Sequence, residues 1–581
     1  MYGAHNFFVF DGKEQFGMFI DCPGVVSFDI GYTKRSEFVI TITDEDYDIY
    51  VITGESILDI VKQFREIIGR SYIAPKWGLG YGQSRWSYAT EAEVMEVVDS
   101  FKKNNIPLDS VYLDIDYMER YKDFTVDLER YPDLKGLSDK LKKEGIRLVP
   151  IIDAGVKIED GYNVYEEGVK NNYFCKDKDG KDYVVGVWPG KVHLPDMLNS
   201  EAREWFGNHY KYLLDMGIEG FWNDMNEPAL FYSQAGLDEA FAEIKKLENT
   251  NLDIHSYFHM KDVINGLANN PKDYASFYHN IEGEMVCHSR VHNLYGYNMT
   301  KAAGEAFERL EPDKRILMFS RSSYIGMHRY GGIWMGDNQS WWSHILLNLK
   351  MLPSLNMCGF LYTGADLGGF GDQATEDLVM RWLELGIFTP LMRNHSAAGT
   401  KRQEPYQFEN VKAFADILGI RYALLPYIYS EYMKASLRDE MMFMPLSFVF
   451  TEDKKAKNIE DQMLIGDTVM IAPIYTQNAT GRYVYLPEDM MCVRMKSATE
   501  YLVEEMKAGD HYVDVALEEV VFFIRNQKRI PMGKASDCVD HMEKDVNALT
   551  MIGYADGDQY ELYTDDGFTK DYEDKNNIVI L

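Results

Sequence analysis

Eight short apolar runs, separated by segments with helical spacing, are the feature that most limits what this chain can fold into. Each run has six to eight residues, the length of a buried strand, and the segments between them place apolar residues on one helical face. Eight strand and helix alternations favour a closed barrel over an open doubly wound sheet, which rarely needs so many units. We therefore predict an α/β fold built on a (β/α)8 TIM barrel. The runs are Trp77 to Gln83, Ser110 to Asp116, Arg147 to Asp153, Glu219 to Asp224, Arg315 to Arg321, Gly331 to Asp337, Gly359 to Asp366 and Phe388 to Arg393.

The pattern on both sides of the barrel is that of β-strands. Alternating apolar residues and turns such as Asp11-Gly12 precede it, and strand-like segments with the turns Asp556-Gly557 and Asp566-Gly567 follow it. Two long insertions interrupt the alternation, and long loops at a barrel mouth usually shape a pocket. The predicted domains are an N-terminal β-sandwich portion at 1–72, the barrel at 73–437 with insertions near 155–196 and 231–285, and two small C-terminal β domains at 438–533 and 534–581.

Two carboxylates end barrel runs at positions that predict catalysis. Asp224 closes the fourth run and Asp337 closes the sixth. Because the carboxyl ends of the strands form the mouth of such a barrel, the two side chains would face each other there. Paired acids suit glycoside cleavage, since one attacks or stabilises the anomeric carbon while the other protonates the leaving oxygen. An Asp after a strand more often caps a helix or lies on a solvated turn, so the pair alone is only a hypothesis.

Other strand ends would bring polar and aromatic side chains to the same mouth. A sugar ring needs hydrogen-bonding partners around it and apolar walls for its C–H faces. Each residue also has a plainer explanation, because an Arg near several Asp residues is often a structural ion pair and a Trp at a strand end is often core. Their clustering is what favours a sugar site. The polar candidates are Asp114, Asp116, Arg321, Asp366, Arg393 and His395, and the aromatic candidates are Trp86, Trp188, Trp222, Trp334 and Phe370.

Charge and motifs argue against several other classes of protein. The 60 basic and 92 acidic residues give a formal net charge of −32, which repels nucleic acid and anionic membranes. Glycine patterns that bind phosphate or dinucleotides are absent after the early strands, so no cofactor is expected. The six cysteines form no Cys-x-x-Cys pair and fit a reducing compartment, which predicts a cytoplasmic protein.

A metal-dependent hydrolase is the main chemical rival, because Asp and His side chains at barrel mouths also bind divalent ions. The sequence contains neither His-x-His nor His-Glu-x-x-His. His288 and His292 are four residues apart on a predicted helix, but no glutamate adjoins them as a general base. We therefore predict no metal site and expect these two histidines to be structural.

The segment Trp222 to Glu227 resembles the nucleophile segment of α-glucosidases in glycoside hydrolase family 31, and the resemblance extends from about Asn6 to the C-terminus. Family members that act on α-xylosides tend to carry a Lys-Thr-Asp-Phe-Gly-Glu type of segment, so Trp-Asn-Asp-Met-Asn-Glu favours glucosides. Supporting segments are Gly78 to Trp86, Asp114 to Met118, Phe319 to Ser322, Trp334 to Asn338, Gly364 to Asp366 with Gly368 to Phe370, Met392 to Ser396, and Tyr563 to Gly567.

The resemblance implies a role for most residues of the site. Asp224 would be the nucleophile and Asp337 the general acid/base of a retaining double displacement. Asp114, Arg321 and His395 would hold the glucose ring in the first subsite, and Trp86 would lie near the entrance, where it could influence which linkage fits. The lining of the first subsite would be Ile115, Ile151, Trp188, Trp222, Met225, Trp334 and Phe370, and Asp366 completes the predicted substrate-binding set from its own strand end.

The resemblance implies an exo-acting α-glucosidase that releases glucose from the non-reducing ends of maltose-type or isomaltose-type oligosaccharides without a cofactor. The alternatives are an α-xylosidase or transglucosidase of the same family, or a catalytically silent carbohydrate-binding protein. A small oligosaccharide is the expected partner, and a homo-oligomer is left open. Only about 72 residues precede the barrel, whereas similar enzymes have a larger β-sandwich with a loop that adds an Asp to the first subsite. We therefore expect an incomplete sandwich and an N-terminus that is shorter than in those enzymes.

Overall fold

The computed structural model describes residues 2–581, and a parallel barrel lies at its centre. The eight barrel strands are named β1 to β8; each overlaps one of the apolar runs, and consecutive strands pair in parallel. The predicted α/β barrel is confirmed. The strands are β1 (Tyr81–Gln83), β2 (Ser110–Leu113), β3 (Arg147–Ile152), β4 (Gly220–Asn223), β5 (Leu317–Ser320), β6 (Gly332–Trp334), β7 (Thr363–Gly364 with Asp366–Leu367) and β8 (Met392–Asn394).

The barrel closes through β7, whose two halves pair with different neighbours. The first half pairs with β6, where Gly364 lies opposite Trp334, and the second half pairs with β8, where Asp366 lies opposite Arg393. Because β8 also pairs with β1, the sheet returns to its starting strand. All eight strands therefore deliver their carboxyl ends to one rim, where an active site of this fold is built.

Amphipathic helices cover the strands. Thr90 caps the helix after β1 by accepting a hydrogen bond from the backbone N–H of Glu93, and Glu93 accepts one from the backbone N–H of Ala89 in return. The longer helices are Glu91–Lys103, Leu134–Lys142, Asn163–Asn171, Ser200–Asn208, Gln234–Lys245, Ile254–Asn265, Leu294–Leu310, Trp342–Met357, Glu376–Gly386 and Val411–Leu437, and the short ones are Lys211–Leu214, Pro271–Tyr274, His288–Val291 and Leu446–Val449.

The connection between β5 and β6 departs from the regular alternation. It consists of the short strand Ser323–Tyr324 and the 3₁₀ turn Met327–Arg329 in place of an α-helix. The helix Ile57–Ile68 of the N-terminal module belongs to the same apolar cluster as Met327 and Ile333. A helix that precedes the barrel in the chain thus packs on this part of the barrel wall, which joins the two units through a shared core.

The N-terminal module is made of short antiparallel strands. Its largest sheet has Gln15–Asp21 in the middle, with Phe7–Asp11 and Asp48–Thr53 on either side. A second pair is formed by Val26–Ile30 and Phe38–Ile42. These strands agree with the β pattern predicted for this part of the chain, whereas the predicted domain limits stay a prediction.

A two-residue strand at the start of the N-terminal module reaches the barrel mouth. Gly3–Ala4 pairs in parallel with Ser323–Tyr324, the segment that follows β5. This pairing carries the Tyr2 side chain into the rim. The N-terminal segment therefore contributes to the wall of the cavity described below.

Antiparallel β structure follows the long helix Val411–Leu437. Its main sheet has six strands, and three further strand pairs accompany it. The strands are Phe443–Pro445, Met463–Ile465, Val469–Ile471, Gly481–Leu486, Met490–Met495, Tyr501–Met506, Gly509–Asp514, Val520–Arg525, Arg529–Met532, Thr550–Gly553, Glu561–Tyr563 and Ile578–Ile580.

Within residues 2–581, no helix combines the length and the apolar composition that a membrane span requires.

Candidate active site

A cavity of about 500 Å³ opens at the carboxyl ends of the barrel strands. Sites for small molecules typically have volumes of about 300–1,000 Å³, so the size suits one or a few sugar units. Of the residues predicted for the mouth, all line this cavity except Asp116, Asp366 and Arg393. Those that line it are Trp86, Asp114, Ile115, Ile151, Trp188, Trp222, Asp224, Met225, Arg321, Trp334, Asp337, Phe370 and His395.

Asp224 is held rigidly at the end of β4. Its backbone N–H donates to the carbonyl of Ile152 on the neighbouring strand at 3.0 Å, which extends the sheet by one residue. Its side-chain Oδ1 accepts a hydrogen bond from the backbone N–H of Met225 at 2.7 Å. Met225 has a positive φ of 54°, so the chain turns sharply away directly after the carboxylate. The strand end and the turn together fix the direction of the Asp224 side chain.

One arginine joins the two predicted catalytic carboxylates. Arg321 Nη1 lies 2.9 Å from Asp224 Oδ1 and 3.7 Å from Asp337 Oδ2. Its other nitrogens donate to both carboxylate oxygens of Glu227, at 2.9 Å from Nε and 3.0 Å from Nη2. This bidentate contact orients the guanidinium, because Arg and carboxylate groups match in a planar fork.

Burial and charge set the protonation of this cluster. Burial is the main cause that raises the pKa of Asp224 to about 6; Arg321 opposes the shift, and the charges of Asp337 and Glu227 add to it. Burial by itself would lower the pKa of Arg321, but Asp224 and Glu227 raise it well above its usual range. At neutral pH, Asp224 is thus mainly a carboxylate beside a permanently charged guanidinium.

Asp114 and His395 lie together on another side of the cavity. His395 Nε2 is 3.9 Å from Asp114 Oδ2, and His395 Nδ1 shares a 2.6 Å hydrogen bond with the hydroxyl of Ser84. Burial raises the pKa of Asp114 well above its usual range and lowers the pKa of His395 well below its own. Both shifts favour the neutral forms. These can form hydrogen bonds with sugar hydroxyls without leaving a buried charge unpaired.

Aromatic rings form the floor of the cavity, and a buried ion pair lies beneath them. The guanidinium carbon of Arg393 is 4.9 Å from the Trp222 ring and 5.2 Å from the Trp334 ring. Arg393 pairs with Asp366, and both side chains are fully buried. Buried charges need partners, so the pair is a structural support for the floor. The structure thus places Asp366 behind the rings, at a position where it does not line the cavity.

The entrance is framed by aromatic side chains. Trp86 and Trp188 meet edge to face with ring centroids 5.0 Å apart, and Trp188 meets Phe231 in the same way at 4.8 Å. Phe370 stacks on His395 with centroids 5.0 Å apart. Such rings present flat apolar faces to the C–H groups of a sugar while polar groups remain near the catalytic carboxylates.

Several residues that line the cavity are absent from the set predicted for the site, and one of them, His292, is predicted from the sequence to be structural. Asn269, Tyr274 and His292 belong to the insertion after β4 or to the helical segment just beyond it, where only the length of the loop signals a contribution to the mouth. The Tyr2 ring lies 4.7 Å from the guanidinium carbon of Arg321, through the pairing described above. The full set is Tyr2, Glu227, Ala229, Phe231, Asn269, Tyr274 and His292.

Two side-chain groups in the described part of the chain have the residue types and spacing of metal ligands. One is Cys175 with Asp196 and His279, and the other is Asp537 with Cys538 and His541. Both groups lie outside the lining of the cavity. The cavity itself is lined by carboxylates, an arginine and aromatic rings.

Comparison with known families identifies two matching regions. Residues 71–431 match the glycosyl hydrolases family 31 TIM-barrel domain, and residues 439–529 match the glycosyl hydrolase family 31 C-terminal domain. The first match covers the barrel strands β1 to β8 and the cavity residues from Trp86 to His395.

Individual relatives agree with these matches. The chain is 34% identical to alpha-glucosidase 2 of Bacillus thermoamyloliquefaciens over 99% of its own length and 68% of that protein. It is 30% identical to neutral alpha-glucosidase AB of Homo sapiens over 92% of its own length and 53% of that protein. The solved structure of a family 31 alpha-glucosidase from Bacteroides thetaiotaomicron superposes with a TM-score of 0.77 at 26% identity, covering 100% of this chain and 89% of that one. The chain thus spans between about half and two thirds of these two curated relatives.

Proposed function

The chain belongs to glycosyl hydrolase family 31, and on that basis we propose that it is a retaining exo-α-glucosidase. Its substrates would be short oligosaccharides with a terminal, non-reducing, α-linked glucose. Both curated relatives described above carry the name alpha-glucosidase, which supports the specificity for α-glucosides.

The observation that carries this proposal is the position of Asp224 and Asp337 in one cavity. Because one nitrogen of Arg321 contacts an oxygen of each, these two oxygens are at most about 6.6 Å apart, the sum of 2.9 and 3.7 Å. Retaining glycosidases have carboxyl groups about 5–5.5 Å apart, and inverting ones need about 6.5–9.5 Å to admit a water. The limit of about 6.6 Å lies at the lower edge of the inverting range, so the retaining separation fits and a wide inverting separation does not.

In the first step, Asp224 attacks the anomeric carbon and Asp337 donates its proton to the glycosidic oxygen. The bond between that carbon and oxygen breaks, the leaving sugar departs with the proton, and an ester joins glucose to Asp224. Asp224 suits the role of nucleophile because it is ionised at neutral pH and fixed by Arg321 and by the backbone N–H of Met225.

In the second step, Asp337 takes a proton from a water that attacks the same carbon, and the ester to Asp224 breaks. Glucose leaves with its original anomeric configuration, since two inversions have occurred. The Asp337 side chain is 33% exposed, compared with 15% for Asp224, so Asp337 is the better placed of the two to meet a leaving group and an incoming water.

The polar and aromatic residues of the cavity would bind the non-reducing glucose. Asp114, Arg321 and His395 would hydrogen-bond its hydroxyls, and Trp222 and Trp334 would contact its C–H face. Trp86 would lie against the sugar beyond the scissile bond. A cytoplasmic location stays a prediction.

Release of glucose from maltose by the purified protein tests the proposal. The account predicts glucose from maltose or isomaltose at rates well above those for isoprimeverose, which has a terminal xylose. Faster release of xylose from isoprimeverose would favour an α-xylosidase, and longer glucosides among the products would favour a transglucosidase. Binding of maltose without any turnover would contradict an enzymatic function.

A further inference from the structure

A chain of four buried or half-buried side chains runs from the insertion after β3 to the cavity wall. Asp196 Oδ1 lies 2.7 Å from His279 Nδ1, His279 Nε2 lies 2.9 Å from His288 Nδ1, and His288 Nε2 lies 2.8 Å from His292 Nδ1. His292 lines the cavity, whereas His279 and His288 are fully buried. All four residues are therefore linked by one continuous series of hydrogen bonds.

Asp196 determines which nitrogen of each histidine donates and which accepts along this series of hydrogen bonds. Its Oδ2 accepts a hydrogen bond from the backbone N–H of Asn280 at 2.7 Å, and its Oδ1 faces His279. A carboxylate with two acceptor oxygens requires His279 to carry its proton on Nδ1, which leaves Nε2 as an acceptor. The same reasoning then places the proton of His288 on Nδ1, and that of His292 on Nδ1 as well.

His288 and His292 are uncharged members of this series. Burial, with the neighbouring histidines His279 and His292, lowers the pKa of His288 well below its usual range. Burial lowers the pKa of His292 to about 4, although Glu227 opposes the shift. At neutral pH, His292 therefore has a proton on Nδ1 and an unprotonated Nε2 on the opposite side of its ring.

We propose that the Asp196–His279–His288–His292 chain presents Nε2 of His292 to the cavity as a hydrogen-bond acceptor for a hydroxyl of the leaving-group sugar. This inference rests on the proposed glucosidase function. His292 would be a specificity-determining residue, and Asp196, His279 and His288 would be positioning residues that fix its tautomer. Second-sphere partners fix histidine tautomers in the same way at metal sites.

The position of His292 in the cavity points to the leaving-group sugar. The residues that would bind the terminal glucose follow the barrel strands, whereas His292 shares its wall with Asn269 and Tyr274 from the insertion after β4. Tyr274 packs on His292 with ring centroids 4.7 Å apart and donates its hydroxyl to the carbonyl of Pro228. Because this wall comes from outside the strand ends, we assign it to the sugar on the other side of the scissile bond.

The same residues could be taken for a metal site, because Cys175, Asp196 and His279 lie close together. The atoms that would bind a metal already form hydrogen bonds. His279 Nδ1 is 2.7 Å from the Asp196 carboxylate, and His279 Nε2 accepts a hydrogen bond from His288. A zinc ion bound to both groups would hold each about 2.0–2.2 Å from itself and would break the bond between them. Stoichiometric zinc in the purified protein would overturn the proposal.

Substitution of His292 tests the contact with substrate. We expect His292→Phe to lower kcat/KM for maltose about three- to tenfold more than kcat/KM for an aryl α-glucoside, whose leaving group has no sugar hydroxyl, because a neutral hydrogen bond is lost. His292→Gln, which can place an amide oxygen near Nε2, should restore part of the loss. As a matched control, His259→Phe at an exposed site should leave the ratio of the two rates unchanged.

Equal losses on both substrates, or no loss on maltose, would overturn the role of His292. If the unmodified protein hydrolysed neither substrate, the proposed function itself would fail, so the two failures are distinguishable. A loss that His292→Gln does not repair, together with an unchanged melting temperature, would also count against hydrogen bonding as the cause.

Nitrogen NMR of the histidine rings tests the direction of the chain. In the unmodified protein, His279, His288 and His292 should all show the Nδ1–H tautomer, with the His292 signal identified by its loss in His292→Gln. In Asp196→Asn, the amide oxygen stays with the backbone N–H of Asn280, so its NH2 group faces His279 and the order of donors reverses. His292 should then show the Nε2–H tautomer.

An Nε2–H tautomer of His292 in the unmodified protein would overturn the proposed direction. So would an unchanged His292 tautomer in a folded Asp196→Asn protein. Should that variant fail to fold, the spectrum of the unmodified protein still decides the question. A purely structural role for Asp196 would affect stability without moving the proton on a histidine three links away.

Discussion

Arg321 places its Nη1 atom 2.9 Å from Oδ1 of Asp224, so the proposed nucleophile sits beside a fixed positive charge. The contact opposes the burial that raises the pKa of Asp224, and it leaves that pKa at about 6. Glu227 holds the other edge of the guanidinium. The charge state of the nucleophile thus depends on residues from β4, β5 and β6 that meet at one rim.

The pH dependence of the reaction should report this environment. Because Asp224 must be ionised to attack, kcat/KM should fall as the pH drops below about 6, by about tenfold per pH unit well below the pKa. The negative charge of Asp337 raises the pKa of Asp224, so Asp337→Asn should move this acid limb to lower pH. An aryl α-glucoside is the substrate for the measurement, since its leaving group needs little acid assistance. An acid limb that stays in place or moves upward would contradict the electrostatic account.

The proposed acid role of Asp337 predicts a dependence on the leaving group. Asp337→Ala should reduce hydrolysis of maltose far more than hydrolysis of an aryl α-glucoside, because only the sugar leaving group requires protonation. General acid catalysis typically contributes about 10²–10⁴-fold, and the loss on maltose should lie in that range. Equal losses on the two substrates would exclude Asp337 as the acid.

The Asp366–Arg393 pair predicts a loss of stability. Asp366→Ala should lower the free energy of unfolding by about 3–5 kcal/mol, because it leaves the guanidinium buried and uncompensated beneath the aromatic floor. Asp510→Ala removes the acid of an exposed ion pair with Lys455 and should cost less than about 1 kcal/mol. Chemical denaturation measures both changes. A loss for Asp366→Ala no larger than that of the control would contradict the supporting role.

At Asp366, the sequence predicts the position of the residue at a strand end but not the direction of its side chain. Its position in the seventh apolar run correctly indicated the rim of the barrel, and the same reasoning brought Asp114, Asp224 and Asp337 into one cavity. The direction of its side chain depends on closure of the barrel, which sets Asp366 opposite Arg393. A pairing between β7 and β8 is a long-range relationship that no local pattern encodes.

The other features of the site that the sequence does not predict also depend on contacts between distant parts of the chain. A strand end is signalled by an apolar run followed by a polar residue, whereas Asn269 and Tyr274 lie in an insertion, and His292 just beyond it, without that pattern. The packing of helix Ile57–Ile68 beside β6 and the connection before it also follows from tertiary contacts. Local pattern therefore predicted the elements, and contacts distant in sequence decided how the wall was completed.

The covalent step proposed for Asp224 is the central claim, and labelling of the enzyme tests it directly. A fluorinated α-glucosyl fluoride that forms the glycosyl ester faster than it is hydrolysed should trap the intermediate, and mass spectrometry of peptides should then locate the sugar. The account predicts one glucosyl adduct per chain, on the peptide that contains Asp224, and none in Asp224→Ala. An adduct on Asp337, or complete hydrolysis of maltose by Asp224→Ala at the unmodified rate, would contradict it.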